Sequence, residues 1–395
     1  MYKKYFPYFK NSKNIYLDTA ATAQKPSIVI DAVNEYYTKY CSNTHRSNFK
    51  DANRATTEYE NTREAVKNCI NAKESKEIIF TKGVTESLNL VASSFVKDRF
   101  DTVIISSLEH HSNIVPWHMQ GRSLHKGLEV VNCDESLTFD MEHFEKLLKQ
   151  NPNSFVSITH VSNAFGKLHP IKNIIQKAHK YGALVMIDGA QSLPHFNIDM
   201  QDIDADFYTI SGHKTYGPTG VGVLYVKAKH LESLRPYQTG GATIKDVSYD
   251  KTVLLKSPFK FEAGTQNIAG VIGFGKSIEF LQNIGYENII HYENEIYEYL
   301  YEKLKEIKDI IFYTDSINSI GSLSFNIKGL MADDLGILLD KMKISIRTGH
   351  HCAQPIMKKL GVNGTVRVSL AIYNDKNDIN TFIKGLKRAI KILED

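Results

Sequence analysis

The chain has 395 residues, of which 42% are hydrophobic and 23% are charged, and its formal net charge is +4. This length exceeds what one small core needs and suggests two domains, or one large domain with a lobe. The composition is ordinary for a soluble globular protein, and no run of lysine and arginine alternates with aromatic residues, so nucleic-acid binding has little support.

The N-terminal segment Met1–Lys10 is aromatic and charged and lacks the apolar centre of a secretory signal peptide. No apolar run reaches the length that spans a bilayer, so we expect a soluble, cytoplasmic protein that does not contact membranes. Cysteines occur at four positions, without a C-x-x-C pair or a zinc-like Cys/His spacing, namely Cys41, Cys69, Cys133 and Cys352. We therefore expect neither structural disulfides nor a bound metal.

From about residue 60 the sequence alternates between helix and strand patterns. Apolar residues at helical spacing predict helices over 58–71, 84–96 and 171–181. Short apolar runs predict buried strands over 77–80, 102–106, 129–131, 154–159, 183–188, 207–210 and 221–226. Such alternation is typical of the α/β class, with a mainly parallel sheet covered by helices.

The pattern changes near residue 275. Helices are predicted over 276–281, 286–307, 332–342 and 378–393, and strands over 321–327, 344–347 and 365–369. This mixture indicates a smaller α+β lobe, joined by the N-terminal segment. We therefore expect a large domain over residues 20–275 and a small C-terminal domain over 276–395 together with residues 1–19.

An acid and an amine follow two of the predicted strands. Asp188 ends the strand 183–188, and Lys214 closes the segment Ser211-Gly212-His213-Lys214 after the strand 207–210. Ligands of open α/β sheets bind at the carboxyl ends of the strands. A lysine there attaches an aldehyde, and an acid keeps a pyridine nitrogen protonated, which suits pyridoxal phosphate. A surface lysine and a capping aspartate are the default for any single pair, so the prediction depends on the residues around them.

Further polar residues at this edge suit the same cofactor. Thr85 lies in the turn 81–85 at a predicted helix start, where N–H groups and a hydroxyl form an anion site; an ordinary N-cap is the alternative. Ser211 and His213 flank the lysine and add donors for the same phosphate. Gln191 comes three residues after the acid and is placed to reach the ring oxygen.

Two histidines and an asparagine follow other strands of the predicted sheet. His110 and His111 come after the strand that ends at Ser106. An imidazole there is suited to stacking on the cofactor ring and to moving protons near neutral pH, although a lone histidine is more often structural. Asn163, after the strand that ends at Thr159, is a candidate to bond the ring oxygen or the substrate.

A cysteine lies in a polar stretch of the small lobe, Arg347-Thr348-Gly349-His350-His351-Cys352-Ala353. Glycine and two histidines before Cys352 indicate a mobile loop, in which imidazolium groups would raise the thiolate fraction. A buried cysteine in a turn is the alternative. Arg367, in the strand 365–369, would hold a substrate carboxylate if it faces inward and would be a solvated charge if it faces outward, and alternation does not decide between them.

Several motifs occur in one order along the chain: YLDTAA from Tyr16, LEHHSNIVPW from Leu108, THVSNAFG from Thr159, MIDGAQS from Met186, SGHKTYGPTGVG from Ser211, FEAGTQN from Phe261 and RTGHHCA from Arg347. With them, nearly the whole chain resembles the cysteine desulfurases of the class V aminotransferase superfamily, specifically the Suf-type group. RTGHHCA separates this group from desulfurases with a longer cysteine loop. The resemblance implies the type I fold of pyridoxal-phosphate-dependent transferases and a homodimer.

The resemblance also implies roles for the cofactor-binding residues. Lys214 would carry pyridoxal 5'-phosphate covalently, Asp188 would pair with the pyridinium nitrogen, and Gln191 would contact the ring oxygen. His110, chosen over His111 because it directly follows the glutamate of its motif, would stack on the ring. The residues that would hold the phosphate are Thr85, Ser211, His213 and, from the other subunit of the dimer, Thr265.

The implied reaction converts L-cysteine to L-alanine. Asn163 and Arg367 would bind the substrate carboxylate, Lys214 and His110 would move protons, and Cys352 would be the nucleophile that keeps the sulfur as a persulfide. A SufE-like acceptor protein would then take the sulfur for iron–sulfur cluster assembly. One segment departs from the pattern, because many relatives carry HRGxH where this chain has His45-Arg46-Ser47-Asn48-Phe49, so no role is assigned to a second histidine there.

Alternative functions come from two features. Residues 270–277, GVIGFGKS, fit the nucleotide-binding pattern G-x-x-x-x-G-K-S, which needs a strand before its loop. Residues 261–269 have no strand pattern and the glycines lie at a predicted helix start, so we interpret the match as chance. A nearer alternative is a selenocysteine lyase or a transaminase on the same fold. Cys352 argues against a transaminase, which needs no thiol, and does not exclude selenocysteine as substrate.

Overall fold

The computed structural model describes residues 2–120, 127–314 and 319–394. The strands in chain order are β1 Ile15–Tyr16, β2 Ile78–Thr81, β3 Thr102–Ser106, β4 Gly127–Val131, β5 Ser154–Thr159, β6 Leu184–Asp188, β7 Phe207–Ser211, β8 Gly222–Val226, β9 Ile244–Val247, β10 Thr252–Leu254, β11 Ile310–Phe312, β12 Ser322–Ile327, β13 Ile344–Ser345, β14 Arg347–Gly349 and β15 Thr365–Ser369. The α-helices are α1 Tyr8–Asn11, α2 Ser27–Lys39, α3 Lys50–Cys69, α4 Val84–Val91, α5 Val115–Gln120, α6 Met141–Gln150, α7 Ile171–Lys180, α8 Met200–Ile203, α9 Ile268–Ile284, α10 Tyr286–Lys305, α11 Ala332–Lys341, α12 Gln354–Lys359 and α13 Lys376–Glu394.

In the described part of the chain, seven strands form one sheet in the order β2-β8-β7-β6-β5-β3-β4. The neighbours from β7 to β4 pair in parallel, whereas β8 is antiparallel to both β7 and β2. Alternate residues enter cores on opposite faces: Ile104 lies in one core, and Val103 and Ile105 lie in the other. Helices therefore cover both faces, and the predicted mainly parallel α/β sheet is confirmed.

A second sheet of the described residues has the order β11-β12-β15-β14 and is antiparallel throughout. Its core includes Leu300 of α10, Leu339 of α11 and Phe382 of α13. The N-terminal segment joins this lobe, because β1 pairs in parallel with β13. The division into 20–275 and 276–395 stays a prediction. The proposed boundary falls inside α9, whose Phe274 packs in a core of the large sheet.

Most predicted elements agree with the structure within a few residues, and β3, β5 and β15 agree at both ends. The helix predicted over 84–96 ends as an α-helix at Val91 and continues as a π-helical turn to Val96. The strand predicted over 344–347 is wrong as one element. It is split because β13 pairs with β1 while β14 pairs with β15. The β9–β10 hairpin was not predicted, since its polar sequence lacks a buried face.

The segment that matches the nucleotide-binding pattern is helical. Residues 270–277 all lie within α9, so the required phosphate-binding loop is not formed there. Its glycines serve packing instead, because a Cβ added to Gly273 would lie 2.8 Å from a methyl carbon of Val33 on α2. The interpretation of this match as chance is confirmed.

Among the helices of the described ranges, none has both the length and the apolar character needed to cross a membrane.

A buried ion pair ties three segments of the large sheet region together. The Arg63 side chain is 1% exposed, and its two terminal nitrogens donate to the two carboxylate oxygens of Glu262 at 2.7 and 2.9 Å. Glu262 also accepts from the backbone N–H of Phe80 at 2.9 Å. Helix α3, strand β2 and the segment before α9 therefore share one carboxylate, and its bidentate geometry is the strong form of such a pair.

Replacing Glu262 with glutamine should destabilise the protein by about 3 kcal/mol, because it removes the buried carboxylate partner of a buried guanidinium and leaves Arg63 paired only with the partly exposed Glu60. Denaturant unfolding of the variant and the parent measures this difference. The matched control is Glu279→Gln, which breaks an ion pair with Lys276 whose side chains are 38% and 46% exposed and should cost under about 1 kcal/mol. Equal losses in the two variants would contradict the assignment.

Candidate active site

A cavity of about 680 Å³ lies at the carboxyl ends of β5, β6 and β7 and beneath the small lobe. It brings together all but one of the predicted site residues, and its lining includes Thr85, His110, Asn163, Asp188, Gln191, Ser211, His213, Lys214, Cys352 and Arg367. The exception is Thr265, which lines a separate cavity of about 570 Å³ with His45 and Arg46. The strand ends of the large sheet and the Cys352 segment thus meet around one space.

The acid and the amine enter this cavity from neighbouring strands. Asp188 is the last residue of β6 and Lys214 ends the 3-10 turn after β7. The turn is tight, since a Cβ on Gly212 would lie 2.8 Å from the carbonyl oxygen of Val221. Burial raises the pKa of Asp188, against the opposing effects of the Ala190 N–H and the Lys214 charge. Burial lowers the pKa of Lys214 to about 8, with Asp188 opposing the change.

The low pKa of Lys214 makes its amine a nucleophile near neutral pH, since a sizeable fraction is unprotonated there. The raised pKa of Asp188 shows that burial destabilises its carboxylate form. A cationic N–H partner would stabilise that carboxylate. An electrophilic aldehyde for the amine and a protonated heterocyclic nitrogen for the acid would satisfy both groups. The Gln191 side chain donates one amide hydrogen to the carbonyl of Ala20 at 2.8 Å, which leaves its second N–H for a ligand.

Hydrogen-bond donors that would suit an anion lie together at another part of the cavity lining. Gly83, Val84 and Thr85 line the cavity where α4 begins, and the first N–H groups of a helix have no partner within it. The Thr85 hydroxyl lies 2.8 Å from that of Ser112, and Ser211 and His213 also reach the cavity. This donor set fits a phosphate group.

His110 is neutral in this site. Its Nδ1 accepts the N–H of Ser112 at 3.0 Å, so Nε2 carries the hydrogen. Burial, followed by the charge of Lys214, lowers the pKa of His110 to about 3. His111 contacts the Cys352 segment instead. Its backbone N–H donates to the carbonyl of Cys352 at 2.7 Å, and its ring Nε2 accepts from the backbone N–H of Gln354.

A buried network behind His110 was missed by the sequence analysis. Glu109 accepts from the Ser106 hydroxyl at 2.6 Å, the Thr159 N–H at 2.9 Å and the Asn113 amide at 2.6 Å. Asn113 in turn accepts from the Trp117 indole at 3.0 Å. The spacing of these residues in LEHHSNIVPW was the available signal, since positions four apart on a helical segment share a face. The network holds the His110 segment against β5.

Arg367 faces inward, which settles the alternative that alternation left open. The residue is 1% exposed and lines the cavity, and one terminal nitrogen donates to the carbonyl of Asn163 at 2.8 Å. Its Nε is buried and has no hydrogen-bond partner among the described residues. The Asn163 amide donates to the carbonyl of His351 at 2.7 Å. A buried guanidinium with an unused donor face suits a carboxylate ligand.

Several hydrogen bonds anchor the Cys352 segment. His351 and Cys352 both have left-handed backbone angles, with φ of 51° and 56°, and the Cys352 N–H donates to Nδ1 of His350 at 3.1 Å. The expectation that imidazolium groups surround the thiol is wrong for His351. That ring is buried against the Thr365 hydroxyl at 2.8 Å, and burial lowers its pKa to about 3, so it carries no charge.

Taken as a donor set, these residues fit pyridoxal phosphate. The cavity offers an amine for the aldehyde, a buried carboxylate for the ring nitrogen, a neutral imidazole and a helix start with hydroxyls for the phosphate. Burial lowers the pKa of His213 to about 4, so this ring is neutral and would contribute to the phosphate site as a hydrogen-bonding group.

Comparison with known proteins agrees with this geometry. The "Aminotransferase class-V" family model matches residues 15–382. A probable cysteine desulfurase of Halalkalibacterium halodurans is 41% identical, over 98% of this chain and 96% of that protein. A cysteine desulfurase of Wigglesworthia glossinidia brevipalpis is 42% identical, over 97% of this chain and 94% of its own length.

Solved structures give the same result. The apo structure of a cysteine desulfurase from Thermococcus onnurineus has a TM-score of 0.94 and 38% identity, covering 98% of this chain and 97% of that one. The S-sulfonic acid form of the cysteine desulfurase CsdA from Escherichia coli has a TM-score of 0.91 and 36% identity, covering 99% of this chain and 98% of that one. The chain therefore belongs to the class-V aminotransferase family, whose members depend on pyridoxal phosphate.

Proposed function

We propose that this chain is a cysteine desulfurase of the Suf type, which converts L-cysteine to L-alanine and keeps the sulfur as a persulfide on Cys352. The supporting observation is that the thiol of Cys352 and the amine of Lys214 line the same cavity. A transaminase would need the amine but not the thiol. Atoms balance without another reactant: the carbon–sulfur bond of cysteine breaks, a sulfur–sulfur bond forms, and the displaced thiol hydrogen is balanced by one added to the alanine methyl group.

Pyridoxal phosphate, when bound, supplies an electron sink for the bonds around the substrate α-carbon. Lys214 would hold it covalently through Nζ, and the same amine, when free, would move protons, a role that suits a pKa of about 8. Asp188 would keep the ring nitrogen protonated, and the free amide hydrogen of Gln191 would bond the ring oxygen. His110 would stack on the ring, and its neutral imidazole would offer Nε2–H as a hydrogen-bond donor.

Thr85, Ser211 and His213 hold the phosphate in this proposal, joined by Thr265 of the partner subunit in a homodimer. Thr265 lies outside the cavity that contains Lys214 of its own chain, so this role of Thr265 requires a second subunit.

Arg367 and Asn163 bind the substrate carboxylate, which positions the substrate sulfur for attack by the Cys352 thiolate. Both residues line the cavity with the thiol, and the Asn163 contact to the carbonyl of His351 couples the substrate site to the cysteine segment. Fixing the reacting groups by such contacts lowers the entropic part of the reaction barrier.

The persulfide then passes to a SufE-like acceptor protein for iron–sulfur cluster assembly. We place this activity in the cytoplasm, where thiols stay reduced. All four cysteines of the chain are free thiols, which supports that location. L-selenocysteine is the alternative substrate on the same fold, because selenium leaves carbon more readily than sulfur does.

Replacing Cys352 with serine should abolish sulfur transfer while the cofactor stays bound, because the hydroxyl is a far poorer nucleophile than a thiolate. We expect alanine formation from L-cysteine to fall at least about 100-fold with an unchanged visible absorbance. Cys133→Ser, which alters a thiol outside the main cavity, is the control and should keep parental activity. Full activity of the Cys352→Ser enzyme would rule out the nucleophile, and assays with L-selenocysteine in parallel would identify the preferred substrate.

Covalent uptake of pyridoxal phosphate by cofactor-free protein should speed up as pH rises and level off above about pH 8. The reason is that only the unprotonated amine attacks the aldehyde, and burial lowers the Lys214 pKa to about 8. Stopped-flow absorbance from pH 6 to pH 10 measures the rate. Borohydride reduction followed by mass spectrometry identifies the modified residue, and Lys214→Arg should remain unmodified. An inflection near pH 10 would contradict a buried, perturbed amine.

A further inference from the structure

Asp18 connects two arginines at the edge of the active-site cavity. Its Oδ1 accepts from a terminal nitrogen of Arg367 at 2.8 Å, and its Oδ2 accepts from Nε of Arg347 at 3.3 Å. Both arginines line the cavity, whereas Asp18 lies outside the lining. One carboxylate outside the cavity lining therefore engages both guanidinium groups.

The backbone fixes the position of this carboxylate. Asp18 forms a parallel β-bridge with Ser369, the residue at the end of β15, and the Ser369 N–H donates to the carbonyl of Leu17 at 2.8 Å. The Tyr16 hydroxyl donates to the Asp18 carbonyl at 3.2 Å. Because Arg367 lies two residues earlier on β15, these contacts hold the Asp18 side chain beside its guanidinium.

Arg347, Arg367 and Asp18 together carry a net charge of one positive unit. Arg347 and Arg367 contribute two positive charges and Asp18 removes one. The nearby His351 ring is neutral, because burial lowers its pKa to about 3. Lys214 and Asp188 are engaged by the cofactor in the proposed function. The two arginines and Asp18 thus carry a net single positive charge, which matches one carboxylate, and no described residue accepts a hydrogen bond from the buried Nε of Arg367.

We propose that Asp18 is a specificity-determining residue that restricts this site to substrates with a single carboxylate. This inference rests on the proposed function, which places an amino acid substrate at Arg367. Without Asp18, Arg347 would present a second uncompensated guanidinium at the cavity, and that arrangement favours a dicarboxylate. Asp18 acts through the arginines and touches neither substrate nor cofactor. Its effect therefore appears in the relative affinity of the site for anions with one and with two carboxylates.

The test compares propionate and succinate, which differ by one carboxylate. Their dissociation constants are measured by isothermal titration calorimetry on the cofactor-loaded enzyme. In the parent, propionate should bind at least as tightly as succinate. In Asp18→Asn, the ratio of the two constants should shift at least about tenfold toward succinate, the size expected for one well-placed charge pair.

Two further variants make the result specific to charge. Arg347→Gln should shift the ratio in the opposite direction, and the double variant D18N/R347Q should return it to within about threefold of the parent, as expected of coupled charges. Asp202→Asn is the matched control, since it removes the same charge from an exposed pair with Lys172 and should leave the ratio unchanged.

An unchanged ratio in D18N, or shifts of D18N and R347Q in the same direction, would overturn the inference. If D18N does not fold, R347Q decides alone: a shift away from succinate supports the inference and no shift overturns it. Alanine formation from L-cysteine by the parent is measured in parallel. Its absence would refute the proposed function, while the anion ratios would still report on Asp18 because calorimetry needs no turnover.

Discussion

The active site depends on one physical constraint, the removal of charged groups from water at the carboxyl edge of the large sheet. Asp188 is 3% exposed, and burial raises its pKa while it lowers that of Lys214 to about 8. The same burial keeps His110 and His351 neutral. The cavity therefore holds a reactive amine, an acid that favours a cationic partner and uncharged imidazoles, and each of these groups is more buried than a surface group would be.

The parallel strands provide one half of this arrangement and the small lobe provides the other. Strands β5, β6 and β7 end side by side, so the residues that follow them converge without long connections. Arg367 lies on β15 of the second sheet, and Cys352 lies in the turn after β14. Two hydrogen bonds attach them to segments of the large sheet region, one from the His111 N–H to the Cys352 carbonyl and one from Arg367 to the Asn163 carbonyl. The thiol is thereby positioned relative to the amine by contacts between segments that are far apart in the chain.

Much of the fold was predictable because the buried strands are short runs rich in apolar and β-branched residues, as in the case of β3, β5 and β15, whose ends the sequence predicted correctly. The split of 344–347 into β13 and β14 was not, because one half pairs with the N-terminal β1 and the other with β15. Local pattern cannot indicate which distant strand a residue pairs with. The Arg63–Glu262 pair was missed for the same reason, since its two residues are about 200 positions apart and neither has an unusual local context.

The sequence by itself determined the chemistry that the chain carries: an acid and a lysine after adjacent buried strands, hydroxyls at a helix start, and a cysteine in a polar turn. These are properties of residue type and order, which folding does not alter. Only the tertiary structure decided the direction of Arg367, the engagement of His351 with Thr365 instead of the thiol, and the position of Asp18 between two arginines. The physical reason is that a side chain's charge state and partners follow from burial and from long-range contacts, and these exist only after the two sheets have packed together.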